Sequence, residues 1–236
     1  MRLLLVSSSA VYGGGDLAHC AGAITSILAS SVSRVLFVPY AVANRDQYAA
    51  KARARFDAMG FALDSVHDAR EGAALAVEKA EALFVGGGNS FRLLDALWQT
   101  KLLEPIRRRV FAGMPYIGSS AGSNVACPSI KTTNDMPIVQ PPSLAALDLV
   151  PFNINPHYLD PIPGSTHMGE TREQRIAEFH EENGPPVVGL REGAWLVVDG
   201  AAVALEGSSG ARLFRRGKPP MEYASGSRLD FLMGDA

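Results

Sequence analysis

The segment Gly118-Ser119-Ser120-Ala121-Gly122 places a serine with a glycine two residues to either side. It follows a short apolar run and precedes a stretch able to turn helical, so Ser120 stands where a strand passes sharply into a helix. Such a turn strains the backbone of its central residue, and a Cβ at either flanking glycine would clash. The turn exposes the hydroxyl and aims the N–H of the next residue, Ala121, at the carbonyl under attack. The chemistry expected is nucleophilic acyl transfer. An ordinary Gly/Ser turn shares the pattern, but the position after an apolar strand favours a nucleophile.

A second turn, Gly86-Gly87-Gly88-Asn89, also follows an apolar run and opens a helix. Glycines let backbone N–H groups approach a negative charge closely. With the first turn it offers a pair of oxyanion donors, the N–H groups of Gly88 and Ala121. The spacing is not GxGxxG, which argues against a dinucleotide loop. A third turn, Tyr12-Gly13-Gly14-Gly15-Asp16, reads as a mobile loop ending in a helix cap.

A serine nucleophile needs a base, and the chain has five histidines. His19 falls in a helical pattern, His67 near a strand end and His180 on a helix surface, so these read as structural or solvated. His157, in Asn153-Ile154-Asn155-Pro156-His157-Tyr158, ends an extended run and is the leading candidate, with His167 a second in the same region. The base needs an orienting carboxylate. Asp135 and Glu192 both qualify, and spacing does not choose between them.

The elements that must position these residues alternate. Apolar runs at 3–6, 35–38, 82–85 and 115–118 read as strands buried on both faces. Helical periodicity lies between them: a helix capped by Asp16 with Leu17, Ala21, Ile24 and Leu28 inward, one through Tyr48, Ala52, Phe56 and Met59 stopped by Gly60, and others at 73–80, 90–97 with Asn89 as cap, and 104–110. This alternation predicts an α/β fold with a mostly parallel sheet covered by helices on both faces. Residues 128–168 are rich in Pro, Asn and Thr with little periodicity, as functional loops are. A helix at 170–181 and short β runs at 187–190, 195–198, 202–205 and 212–214 follow, the last four expected as antiparallel hairpins. Residues 1–225 are expected as one α/β domain and 226–236 as a loose tail.

The 236 residues carry 22 basic and 24 acidic side chains and are 47% hydrophobic. A near-neutral charge gives no footprint for nucleic acid or an anionic membrane, and Arg107-Arg108-Arg109 reads as a solvated helix face. No apolar stretch approaches the roughly 20 residues that span a bilayer, and 2–7 is too short for a signal peptide. Cys20 and Cys127 belong to no CxxC pair and HExxH is absent, so no metal and no cofactor are expected. The expected compartment is the cytoplasm, and oligomeric state is open between monomer and homodimer.

Five segments together resemble the peptidase E family of α-aspartyl dipeptidases: 85–91 (VGGGNSF), 116–122 (YIGSSAG), 132–138 (TTNDMPI), 155–157 (NPH) and 169–175 (GETREQR). The likeness runs from about residue 2 to residue 205. It implies a three-layer flavodoxin-like fold related to class I amidotransferases, a metal-free serine mechanism, and a small peptide substrate with N-terminal aspartate. It implies Ser120 as nucleophile, His157 as base, Gly88 and Ala121 as oxyanion donors, and either Glu192 or Asp135 as third member. An aspartyl side chain demands a cation; Arg172 is the first choice and Arg175 the second, with Asn89 also at the substrate. Alternatives are a cyanophycinase-like exopeptidase for β-aspartyl dipeptides, or a non-catalytic amidotransferase-like domain. The first often differs around the GGGN turn, and glutaminases carry Cys where this chain has Ser120.

Overall fold

The computed structural model describes residues 1–236 except 29, 30, 162, 165, 167, 235 and 236. His167 therefore lies outside the described residues. A seven-stranded sheet is built from β1 (Arg2–Val6), β2 (Arg34–Val38), β3 (Ala62–Ser65), β4 (Ala82–Val85), β5 (Tyr116–Ser119), β8 (Ala194–Asp199) and β9 (Ala202–Gly207), in the order β3-β2-β4-β5-β1-β8-β9. The first five are parallel; β8 and β9 continue antiparallel. A second sheet, ordered β11-β10-β7-β6, contains β6 (Asn153–Pro156), β7 (Val187–Leu190), β10 (Ala211–Arg215) and β11 (Lys218–Tyr223). The likeness to a three-layer α/β architecture holds, with β6 and β7 parallel and the rest of the second sheet antiparallel.

Continuous apolar strands work because both faces are covered. Leu3, Leu5, Leu36, Val38, Leu83, Val85 and Tyr116 enter one core, while Leu4, Val6, Val35, Phe37, Ala82, Phe84 and Ile117 enter the other. The alternation is the two-residue pleat. The second core is closed by α1 (Ala21–Leu28) through Ile24, Ile27 and Leu28, and by α2 (Arg45–Asp57) through Ala49, Ala52 and Phe56. The first is closed by α3 (Ala73–Lys79), α4 (Ser90–Gln99), α5 (Leu103–Phe111), α6 (Ala121–Asn124) and part of the second sheet. Helix α7 (Arg172–Glu182) starts at a capping box, in which Thr171 Oγ1 accepts from Gln174 N and Gln174 Oε1 accepts from Thr171 N.

Several expectations are corrected. Asp16 caps no helix: α1 begins at Ala21, Leu17 turns to φ 53° on its way into the core, and Asp16 instead pairs with Lys51 at 3.6 Å. His180 is buried rather than on a helix surface, and its Nε2 meets the Pro185 carbonyl at 3.1 Å. Of the expected hairpins one forms as such, β8–β9; β10 pairs with β7 and with a strand at 218–223 that the residue pattern did not indicate. β7 and β8, adjacent in sequence, go to different sheets.

Residues 226–233 of the expected tail are also held. Leu229 N donates to Val203 O at 2.8 Å, Asp230 Oδ1 accepts from Val203 N at 2.7 Å, and Leu229 and Leu232 are buried. Residues 227–233 thereby cover the free edge of β9, a position where an open strand would invite pairing with another chain. Leu232→Ala is expected to cost roughly 2–4 kcal/mol, read as a lower urea midpoint with an unchanged slope.

Candidate active site

Ser120 lies at the carboxyl end of β5, beside the carboxyl ends of β1 and β4, where open parallel sheets place their ligands. Its backbone sits at φ 53° and ψ −109°, a sterically costly region for a residue with a Cβ. The surroundings enforce it. Ser120 N donates to Val6 O at 2.9 Å, and its carbonyl accepts from Ser123 N and Asn124 N, the first turn of α6. Ser123 Oγ bonds Val6 O at 2.7 Å and Gly118 O at 2.9 Å, and Tyr116 Oη donates to Gly122 O at 2.6 Å. A Cβ on Gly118 would lie 2.5 Å from Gly122 O, and one on Gly122 would overlap Val85 O. Both flanking glycines are thus required by close backbone approach.

His157 arrives from the second sheet. His157 follows β6 at φ 52°; its N–H donates to Ser7 Oγ at 2.9 Å, and Ser7 Oγ donates to Leu190 O at 2.8 Å. His157 Nε2 is 2.9 Å from Ser120 Oγ, and His157 Nδ1 is 2.7 Å from Glu192 Oε1. A carboxylate only accepts, so Nδ1 carries the proton, and the bare Nε2 accepts from the serine hydroxyl. Ser7 is the residue that sequence reasoning missed. Its signal was a run of three serines, 7–9, at the end of the first parallel strand, with Ser7 and Ser8 buried.

Glu192 and Asp135, the two acids left open, have different partners. Glu192 holds His157. Asp135 Oδ2 instead accepts from Ser90 N at 2.7 Å and Thr133 Oγ1 at 3.1 Å, at the start of α4. Asp135 is thereby placed at the GGGN turn, where Met136 O also accepts from Asn89 Nδ2, and not beside the imidazole. Asn89, expected at the substrate, is already engaged: Oδ1 accepts from Arg92 N as the helix cap and Nδ2 donates to Met136 O.

Gly88 is at φ 132°, and a Cβ there would lie 2.6 Å from Ala41 O, so the turn admits only glycine. A Cβ on neighbouring Gly87 would lie 3.1 Å from Ser120 Cβ, which places the GGGN turn against Ser120. Among the described residues, neither Gly88 N nor Ala121 N has a hydrogen-bond partner.

Arg172 opens α7 and is partly buried. Burial and nearby Arg175 lower its pKa, and the field of Asp135 opposes this. Among the described residues it has no ion pair. Arg175 is exposed and its Nε lies 3.5 Å from Glu170. Cys20 and Cys127 are buried free thiols, each pushed up to about 12 by burial. Among the described residues, one group of possible metal ligands converges, Asp46, His67 and Asp68, at the outer edge of the sheet beside β3. There His67 Nε2 meets Asp46 at 2.9 Å as an ordinary polar pair.

Gly122→Ala is expected to destabilise the fold by roughly 3 kcal/mol and to displace the nucleophile. Thermal denaturation and an active-site titration with a fluorophosphonate report the two effects separately.

Two solved structures share the fold. A putative peptidase E from Listeria monocytogenes EGD-e superposes with TM-score 0.66 at 22% identity, covering 88% of this chain and 98% of that one. A peptidase from an acI-B1 Actinobacterium gives 0.69 at 18%, covering 97% and 96%. In sequence, the chain is 53% identical over 233 residues to a protein of Streptomyces coelicolor named Peptidase E, covering 99% of this chain and 95% of that one. It is 49% identical to a probable alpha-aspartyl dipeptidase of Drosophila melanogaster, covering 98% and 97%. It is 41% identical to a Peptidase E of Salmonella paratyphi A, covering 97% and 100%. The sequence profile of peptidase family S51 matches residues 3–205, and the chain belongs to that family.

Proposed function

We propose that the chain is a serine dipeptidase that hydrolyses dipeptides with an N-terminal L-aspartate, using Ser120, His157 and Glu192 as its triad. The observation that carries this reading is the unbroken chain Ser120 Oγ···Nε2 His157 Nδ1···Oε1 Glu192, at 2.9 and 2.7 Å. The names of the relatives, peptidase E and alpha-aspartyl dipeptidase, support the substrate class.

In the proposed reaction, His157 Nε2 takes the hydroxyl proton as Ser120 Oγ attacks the Asp–Xaa carbonyl carbon. The carbonyl oxygen becomes an oxyanion in the space faced by the N–H groups of Gly88 and Ala121, which have no partner to give up. Glu192 stabilises the imidazolium that forms. The imidazolium protonates the amine as the C–N bond breaks. Water, deprotonated by the same nitrogen, then releases aspartate from Ser120. Backbone strain at Ser120 keeps its hydroxyl projected throughout.

The substrate's side-chain carboxylate is assigned to Arg172. A partly desolvated guanidinium beside a second cation, with no ion pair of its own, is electrostatically unfinished. A bound carboxylate completes it through a two-pronged contact. Arg175, exposed and beside Glu170, and Asn89, used as a cap, are not assigned to the substrate.

Ser120→Ala is expected to lower kcat/KM on Asp-Leu by roughly 10³-fold or more with an unchanged melting temperature; retained turnover would remove the assignment. For the acid, proton NMR of Glu192→Gln is expected to lack the low-field Nδ1–H resonance of His157, and Asp135→Asn to keep it. The reverse would return the role to Asp135. Arg172→Ala is expected to bring kcat/KM for Asp-Leu and Asn-Leu within about threefold of each other, since a buried charge-assisted contact is worth roughly 2 kcal/mol or more. Undiminished preference for Asp-Leu would place the cation elsewhere.

A further inference from the structure

Among the described residues, the Glu192 side chain has a single hydrogen-bond partner, His157, and it is 52% exposed. A half-solvated carboxylate with one contact does not fix its own direction. Its backbone must do so, and the backbone is constrained by its neighbour. We propose that Arg191 is a positioning residue for the reaction, clamping together the two chain segments that carry His157 and Glu192. This inference rests on the triad reading given above.

Arg191 precedes Glu192 directly, and Asp160 lies three residues after His157. Arg191 Nε and Nη2 donate to the two oxygens of Asp160, both at 2.7 Å. Its Nη1 and Nη2 donate to the two oxygens of Glu222 on β11 at 3.0 and 3.2 Å. The guanidinium carbon also lies 5.6 Å from the ring centroid of Tyr158, the residue after His157. The hydrogen bonds of the β6–β7 pairing end with Tyr158 N to Leu190 O at 3.1 Å. The Arg191–Asp160 fork is the next tie between the strands; His157 lies just before the Tyr158–Leu190 bond and Glu192 just after it.

The geometry separates this ion pair from an ordinary surface one. Exposed pairs usually contribute little because long side chains pay entropy to meet. Here the fork is bidentate on both sides, and the Arg191 side chain is only 22% exposed. Hydrogen bonds from Arg191 hold the Asp160 carboxyl below the usual carboxylate range. Arg212 extends the network, with Nη2 3.1 Å from Glu173 in the first turn of α7, next to Arg172. Both forks of Arg191 are filled, so it has no fork free for a substrate carboxylate.

The test compares Asp160→Asn, Arg191→Met and the double variant of the full chain with Asp-Leu as substrate. The expected result is a kcat lowered about tenfold with KM within about twofold, because misplacement by a fraction of an ångström costs turnover rather than affinity. The double variant is expected to be no slower than Arg191→Met alone. The low-field His157 Nδ1–H resonance is expected to broaden. Full kcat in folded Asp160→Asn overturns the proposal, as does a raised KM with unchanged kcat or an additive loss in the double variant. If Arg191→Met does not fold, the near-isosteric Asp160→Asn and Glu222→Gln carry the test. An active Ser120→Ala would remove the triad reading itself. An inactive Ser120→Ala beside a fully active Asp160→Asn removes the clamp alone.

Discussion

Backbone packed directly on backbone at the end of the parallel strands is the constraint on which the site depends. Gly122 rides against the Val85 carbonyl, Gly118 against that of Gly122, and Gly88 against that of Ala41. Nothing larger than hydrogen fits at these three contacts, so β4, β5 and the loop after β2 approach more closely than side chains would permit. That approach forces Ser120 into its positive-φ conformation and brings the GGGN turn alongside it. The cost is borne by hydrogen bonds from Ser120, Ser123 and Tyr116 that leave the elbow no other arrangement.

The second requirement is that two sheets meet at one point. Ser120 follows a strand of the seven-stranded sheet, whereas His157 and Glu192 follow strands of the four-stranded one. Ser7 joins them, accepting from His157 N and donating to Leu190 O with one hydroxyl. A buried hydroxyl with both capacities used is specific in direction, because a shift of either strand would leave a polar group unsatisfied. The apolar core shared by β1, β6 and β7 supplies the adhesion, and Ser7 supplies the register.

Charge is distributed in a complementary way. His157 and Glu192 stand at a half-open mouth, with polar ties among Arg191, Asp160, Glu222, Arg212 and Glu173 behind them. Arg172, close to this network on α7, stays outside it.

Local chemistry was legible in the sequence wherever the physical reason was local. Glycines at 118 and 122 announce a turn that tolerates no Cβ; Asn89 announces a cap; both-face apolar runs announce a covered parallel sheet. These follow from sterics and from the pleat, which act over a few residues. The sequence did not separate Asp135 from Glu192, because both stand in loops and which one meets His157 depends on how residues 132–136 and 190–193 are carried in space. The same holds for Asp16, which forms an ion pair 35 residues away in sequence instead of a cap, for His180, buried by the chain that returns at Pro185, and for residues 227–233, whose two leucines only become core once β9 offers an edge. By itself, then, the sequence determined a strained serine beside a second glycine turn on an α/β scaffold. The tertiary structure alone decided which acid meets His157 and that Arg172, unlike Arg175, has no ion pair among the described residues, since hydrogen bonding and ion pairing fall off within a few ångströms and register distance through space, not along the chain.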